Sequence, residues 1–315
     1  MTEAGRSSAF APATIANVAC GFDVLGLALE TPGDTVTAER QVEPGVSLSR
    51  VEGDSGRLPR DPDLNTATIA ARTLLESQGL LQTTGVRLTV SKGLPLAGGL
   101  GSSAASAVAA VIAVCDLIGL DLSKDELLPA VVESERVVSG SGHADNAAAC
   151  LYGGLVLVRS VDPVDVVELP VPNGLAVAVL HPHLEMSTRD SRRLLGDEIP
   201  LTNAVLQWAN VGALVAGLYS GNLPLVSRAL VDVVAEPVRS PHVPRFHQVK
   251  NAALGAGALG CSLAGSGPSM FALCAGLTTA HEVSMKMLAA FDSRGAPEPD
   301  LFVSPVSARG ARLLS

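Results

Sequence analysis

The sequence predicts an α/β protein, α+β in the arrangement of its elements, made of two domains. Three observations carry that prediction. At 315 residues with 47% apolar side chains, the chain can fill two ordinary hydrophobic cores. Between Gly85 and Leu120 an alternating segment, Val86 to Val90, runs into a glycine-rich loop, Gly93 to Gly101, and then into a long Ala/Val/Ile run: strand, loop, helix. Near Arg159 to Pro163 the composition shifts, dividing the chain into 1–160 and 161–315.

The formal net charge of −9 argues against a nucleic-acid or polyanion surface, so a phosphate site has to be built locally from backbone and a few cations. Cys20, Cys115, Cys150, Cys261 and Cys274 are odd in number and lack CxxC spacing. That pattern favours reduced thiols in a cytosolic protein over a disulfide framework or a zinc site. Residues 1–9 hold no apolar core of signal-peptide length, so a cytoplasmic location is expected.

Taken in order, residues 10–29 form an apolar stretch in which Asn17 and Asp23 stand isolated. Buried polar groups cost free energy unless paired. These two either cap turns, as Gly21 and Gly26 suggest, or face a ligand. Residues 35–38 and 46–51 read as strands about the turn at Pro44-Gly45, and Asp61 to Thr66 opens a helix that stops at Gly79. Ser102 and Ser103 are natural N-caps for the next helix. The free N–H groups of its first turn, its dipole and the bare backbone of Gly98, Gly99 and Gly101 make an anion cradle suited to phosphate. This helix carries no charge from Ala104 to Ala113, but Asp116 interrupts it short of the roughly 20 residues a membrane span needs.

A further helix runs from Ser123 to about Val138 and carries Glu133 and Glu135, which by pattern alone are a solvated face. His143, Asp145 and Asn146 then stand almost in a row, in a polar loop or a substrate loop; no G-x-S-x-G elbow accompanies them. Strands follow at 156–159, 166–169 and 175–180. His181 and His183 flank a proline without a third ligand near them in sequence, which speaks against a metal role. Ser187 starts a helix bearing Arg192 and Arg193, either solvated or placed to dock a carboxylate or phosphate, and a long helical region surrounds Trp208 and Leu218. Arg239 and Arg245 lie among prolines. Gly255 to Leu273 is a glycine-rich turn before a buried strand, read equally as structure or as close approach to a ligand.

Known glycine fingerprints do not account for the central loop. A P-loop needs Lys-Ser/Thr where this chain has Gly99. Gly99 to Ala104 fits G-x-G-x-x-A, but a helix start at Ser123 replaces the second strand of a dinucleotide fold. The signatures of protein kinases are also missing.

Three separated stretches, Pro12 to Asn17 continuing to Asp23, Pro95 to Ala104, and Leu263 to Pro268, resemble the motifs of the small-molecule kinases grouped with galactokinase and mevalonate kinase. Within that group, Asn17 to Asp23 and His143 to Asn146 resemble the homoserine kinases. The resemblance spans residues 10–273. It implies an N-terminal domain of mixed sheet and helices, a ferredoxin-like C-terminal domain, and ATP with Mg²⁺ between them. The implied reaction phosphorylates the side-chain hydroxyl of L-homoserine, a step of threonine biosynthesis. Pro95, Leu96, Ala97, Gly98, Gly99, Leu100, Gly101, Ser102 and Ser103 would hold the triphosphate, with Asn65 near adenine. Ser103 and Glu135 would hold Mg²⁺. Asn17, Asp23, Asn146, Thr188, Arg192 and Arg239 would bind homoserine, Gly265 would close the site, and Ser103, Glu135, Asp23 and Asn146 would carry catalysis. Phosphoryl transfer asks mainly for alignment and charge neutralisation, and no lysine but Lys92 accompanies the glycine loop, which favours direct in-line transfer without a dedicated strong base, with Asp145 as its challenger. The implied partners are L-homoserine and ATP, with no nucleic acid or membrane and with a homodimer left open. A kinase for another small alcohol, or a sensor that has lost catalysis, are the alternatives.

Overall fold

Two long strands, β1 (Arg6–Ala16) and β2 (Leu25–Arg40), open the chain and pair antiparallel from Arg6↔Glu39 to Ala16↔Gly26. The computed structural model describes residues 5–140, 142–196, 198–291 and 297–314, with the backbone alone at Ser139 and Thr188. The strand expected at 35–38 is the far end of β2. Its near end and the inner half of β1 are buried on both faces, so they lack the alternation that marks a half-buried strand.

After β3 (Gly45–Glu52) the chain forms α1 (Thr66–Ser77), whose cap Asn65 accepts the Ala67 N–H at 3.1 Å. Next come β4 (Gly85–Ser91), α2 (Ser102–Ile118) and α3 (Lys124–Ser139), the last opened by a Ser123–Glu126 capping box. Then follow α4 (Asp145–Tyr152) and the hairpin β5 (Leu155–Val161) and β6 (Val164–Leu169). The second half holds β7 (Ala176–His181), α5 (Thr188–Arg193), α6 (Leu201–Ser220), α7 (Leu223–Ala229), α8 (Glu236–Arg239) and α9 (Phe246–Gly255). It ends with β8 (Gly260–Leu263), β9 (Met270–Cys274), α10 (Leu277–Phe291), β10 (Asp300–Pro305) and β11 (Arg312–Leu313).

Among the described residues the strands form two sheets. Seven strands make the first, with the path β11-β1-β2-β4-β3 and the β5–β6 hairpin attached to β2. Four antiparallel strands make the second, in the order β10-β7-β9-β8, and with α9 and α10 as its crossovers this is ferredoxin-like topology. The hairpin straddles the composition shift at 160/161, and both its strands belong to the first sheet. The chain enters the second sheet only at Ala176.

Side-chain alternation along the second sheet decides how the halves join. Val177, Val179, Phe271 and Leu273 point into the core of the first sheet, while Ala176, Ala178, Met270 and Ala272 point into a smaller core under α9 and α10. The Ala-rich α2 is buried through most of its length in the larger core. By length and composition α6 is apolar enough to cross a bilayer, yet its mid-helix Gln207 is buried and bonded to Cys20 O at 2.8 Å and Asp232 Oδ1 at 3.0 Å. Those bonds dock it on the protein.

Candidate active site

The glycine loop between β4 and α2 stands on a buried ion pair. Lys92 Nζ bonds Asp34, the carbonyl of Ser102 at 2.8 Å and Ser106 Oγ at 2.8 Å. Asp34 in turn accepts the N–H groups of Gly93 and Leu94 at 3.0 and 3.2 Å. Burial drives the Lys92 ammonium's pKa down and Asp34 opposes that shift. The pair thereby fixes both ends of the loop to one strand. Contrary to the sequence expectation, the two serines do not cap α2: Gly101, at φ +67°, is the N-cap and contributes no side chain. A Cβ at Gly101 would sit 2.0 Å from Thr14 Oγ1, and one at Gly99 would sit 2.4 Å from Ala264 O, so glycine is required where the loop meets β1 and the 264–268 turn. With the cap empty of side chain, the first-turn N–H groups of α2 stay open to an anion.

Ser103, in that first turn, hydrogen-bonds the carboxyl of Glu135 from α3. Burial pushes the Glu135 pKa up, and the Ser103 bond and the Lys92 charge pull it back. Glu133 points outward instead and pairs with Arg136 at 2.7 and 2.8 Å. Among the described residues, the buried Ser102 Oγ has no hydrogen-bond partner.

Across the cleft lies the 17–24 turn between β1 and β2. Asn17, Val18, Ala19 and Asp23 all have positive φ, including +43° at β-branched Val18, a strained backbone of the kind held at functional sites. Asn17 secures it, accepting the Asp23 N–H at 3.1 Å and donating to Gly265 O at 3.2 Å. Turn cap and cleft wall are therefore the same residues. Arg192 from α5 pairs with Asp23 and lies 5.0 Å over the Phe22 ring. The buried Arg239 lies 5.4 Å from the same ring and donates to Gly265 O at 3.1 Å and Ser191 O at 3.3 Å. Thr14 Oγ1 donates to Asn146 Oδ1 at 2.7 Å, and His143 Nδ1 lies 3.5 Å from Asp23. Burial, then the charge of Asp23, raises the Asp145 carboxyl to about 7.

These groups enclose a cleft of about 400 Å³. Of the residues nominated from sequence, Asn17, Asp23, Asn65, Leu96, Ala97, Gly98, Gly99, Gly101, Ser102, Ser103, Glu135, Asn146, Arg192, Arg239 and Gly265 line it. Leu100 instead turns into the core, where its carbonyl accepts the Thr14 N–H at 3.1 Å. Pro95 borders a second cleft behind the loop. The side chain of Thr188 lies outside the described residues. Sequence reading missed Thr14, Phe22, Asp34 and Ser106. One signal was available: a lysine at a strand end just before a glycine loop is rarely buried without an acidic partner.

The fold and cleft define a phosphoryl-transfer class of protein, and the family comparisons agree. Residues 65–154 match the GHMP kinases N terminal domain and residues 214–293 the GHMP kinases C terminal domain; the chain belongs to the GHMP kinases. Within them it is similar to homoserine kinases. It is 48% identical to that of Chlorobaculum tepidum, across 97% of both chains, and 38% identical to that of Xanthomonas campestris, across 98% of this chain and 94% of that one. The crystal structure of homoserine kinase from Cytophaga hutchinsonii superposes with a TM-score of 0.94 at 46% identity, covering 100% of this chain and 98% of that chain.

Proposed function

We propose that this chain transfers the γ-phosphoryl group of ATP to the side-chain hydroxyl of L-homoserine, releasing ADP and O-phospho-L-homoserine. The observation that carries this reading is the meeting, in one cleft, of a backbone anion cradle and an acid–arginine pair, Asp23 and Arg192. The cradle suits a triphosphate, and the pair suits the ammonium and carboxylate of an amino acid. The names of the relatives point to the same substrate.

Phosphoryl transfer asks mainly for alignment and charge neutralisation. The α2 first turn aligns the phosphates, while the Lys92–Asp34 pair, its ammonium donors all taken, holds the loop in shape beneath them. Asn65 forms the adenine side of the cleft. Asn146, its Oδ1 taken by Thr14, presents its amide nitrogen to the substrate. Asn17 orients Asp23 and Gly265, and Thr188 belongs to the homoserine set. The residues also fit Mg²⁺: Ser103 and Glu135 bring a hydroxyl and a carboxylate together beside the unpartnered Ser102 Oγ, hard oxygen donors of the sort that cation takes with substrate phosphates. Ser103 and Glu135 would hold it, and when bound it neutralises phosphate charge. Transfer is direct and in line. We place the reaction in cytoplasmic threonine biosynthesis, and the division between domains in the connection from β6 to β7. The outward face of α6, with Leu201 and Trp208 exposed, supports self-association, which sedimentation would test.

The test is ADP release with homoserine, mevalonate, shikimate and galactose. Homoserine is expected to give a rate far above the others; ADP from another alcohol and none from homoserine would refute the reading. In the same assay Glu135→Gln is expected to lower kcat by about 100- to 1000-fold with an unchanged melting temperature. Glu133→Gln is expected to behave as wild type, and the reverse pattern would put the metal on the other helix face.

A further inference from the structure

Behind the phosphate loop, three metal-ligating side chains converge that the proposed reaction does not use. Antiparallel pairing of β7 with β10 sets His181 directly opposite Asp300, and His183 follows two residues later. Sequence spacing offered only the two histidines; strand register supplies a third ligand. Their ligand atoms all lie within 4.8 Å of one another, and His183 Nε2 is 3.6 Å from Asp300 Oδ1. Two ligand atoms at about 2.0–2.2 Å from a tetrahedral Zn²⁺ lie roughly 3.3–3.6 Å apart, so this pair already has the separation such a cation imposes.

His181 is buried, and its Nδ1 sits 2.9 Å from Ser269 Oγ, a partner that fixes the ring and leaves Nε2 as its ligand atom. The two imidazoles meet edge to face with centroids 5.7 Å apart. His183 and Asp300 are 41% and 47% exposed and border a cleft of about 630 Å³, so a cation can reach them from solvent; the cleft's other acids, Asp54 and Glu185, are already paired with Arg60 and Arg57.

We propose that His181, His183 and Asp300 form a site for a borderline transition-metal cation of the Zn²⁺ class, with three protein ligands and the fourth position open to solvent. Two imidazoles select against Mg²⁺ and Ca²⁺, which take oxygen ligands, so the site differs in chemistry from the Ser103–Glu135 pair. The site adjoins the phosphate loop. His181 packs on Gly98 so closely that a Cβ there would lie 2.9 Å from its Cε1, and the Ser269 N–H donates to Gly98 O at 3.3 Å. A simple His183–Asp300 ion pair is the competing account, and it gives His181 no part.

The experiment is titration of the metal-stripped full chain with Zn²⁺ by calorimetry, and with Co²⁺ followed by visible absorption. One equivalent is expected to bind, with Co²⁺ giving the visible bands of a four-coordinate site. His183→Ala and Asp300→Asn, both at exposed positions and checked by thermal melting, are expected to weaken Zn²⁺ binding beyond the roughly 10- to 100-fold that loss of an outer-shell partner costs. Glu135→Gln is expected to leave it unchanged. Absence of binding below millimolar Zn²⁺, binding that survives the His183 and Asp300 changes, or binding lost with Glu135 would each overturn the proposal.

Discussion

Arg192 and Arg193 are neighbours on α5 with opposite surroundings. Arg192 reaches over Phe22 to Asp23 in the cleft, whereas Arg193 is 75% exposed and pairs with Asp190 at 3.4 Å. An arginine that holds a substrate carboxylate remote from the reacting hydroxyl supplies positioning, and lysine cannot reproduce its fork. Arg192→Lys is therefore expected to raise the homoserine KM about 10- to 100-fold with little change for ATP. Arg193→Lys is expected to match wild type, and steady-state kinetics with each substrate varied checks both; a homoserine defect in Arg193→Lys alone would remove Arg192 from the site. Arg239 is less clean a test, because two of its donors already hold backbone carbonyls. Asp145 makes a pH-dependent prediction. Its folded-state pKa of about 7 lies above the ordinary 3.8, so the folded chain holds the proton more tightly. That stabilising contribution is complete below about pH 4 and lost as pH rises towards 7. Asp145→Asn is expected to remove a stability loss of roughly 4 kcal/mol between these limits, read from denaturant melts at pH 4 to 8. Parallel pH slopes for the two proteins would refute it.

At the scale of elements, what the sequence disclosed followed from local pattern. The Ser123–Glu126 box marked α3, and Asn65 and Gly79 bracketed α1, because caps act within four residues. The glycine loop was legible as the turn that opens α2, although its cap is the left-handed Gly101 and not a serine. Asp34 was invisible because its partner Lys92 lies 58 positions away and only the β2–β4 register joins them. That pair carries a prediction. Asp34 accepts two loop N–H groups, Ser106 and Lys92 at a fully buried position. Asp34→Ala would leave an unpaired buried ammonium and two orphaned amides, a loss of about 3–5 kcal/mol. The companion change with Lys92→Met is expected to recover part of it, and chemical denaturation of the single and double variants measures this. A double variant no more stable than Asp34→Ala would mean that the loop amides, not the ion pair, set the cost.

At the scale of the whole molecule, the composition shift located a change of character in the chain but not a seam in the structure. The ferredoxin-like half could be named through resemblance, yet α9, α10 and β10 went unread in the sequence, and how the halves join could not be read there at all. Alternate residues of β7 and β9 serve two different cores, so removing the second sheet uncovers Val177, Val179, Phe271 and Leu273 and the apolar surface they cover. The C-terminal segment ties the halves again: Ser304 Oγ accepts the Glu30 N–H at 2.8 Å, Ser307 N–H donates to Ala28 O at 2.8 Å, and β11 completes the first sheet beside β1. Two autonomous domains would melt in two calorimetric steps, whereas a shared core predicts one. A single transition is therefore expected for the full chain, with calorimetric and van't Hoff enthalpies equal. Residues 1–169 expressed alone are expected to show no cooperative melt, because they carry β1 as an open edge and lack the cover that the second sheet provides. Two resolved transitions, or a cooperative transition in that fragment, would show that each half is stable without the other.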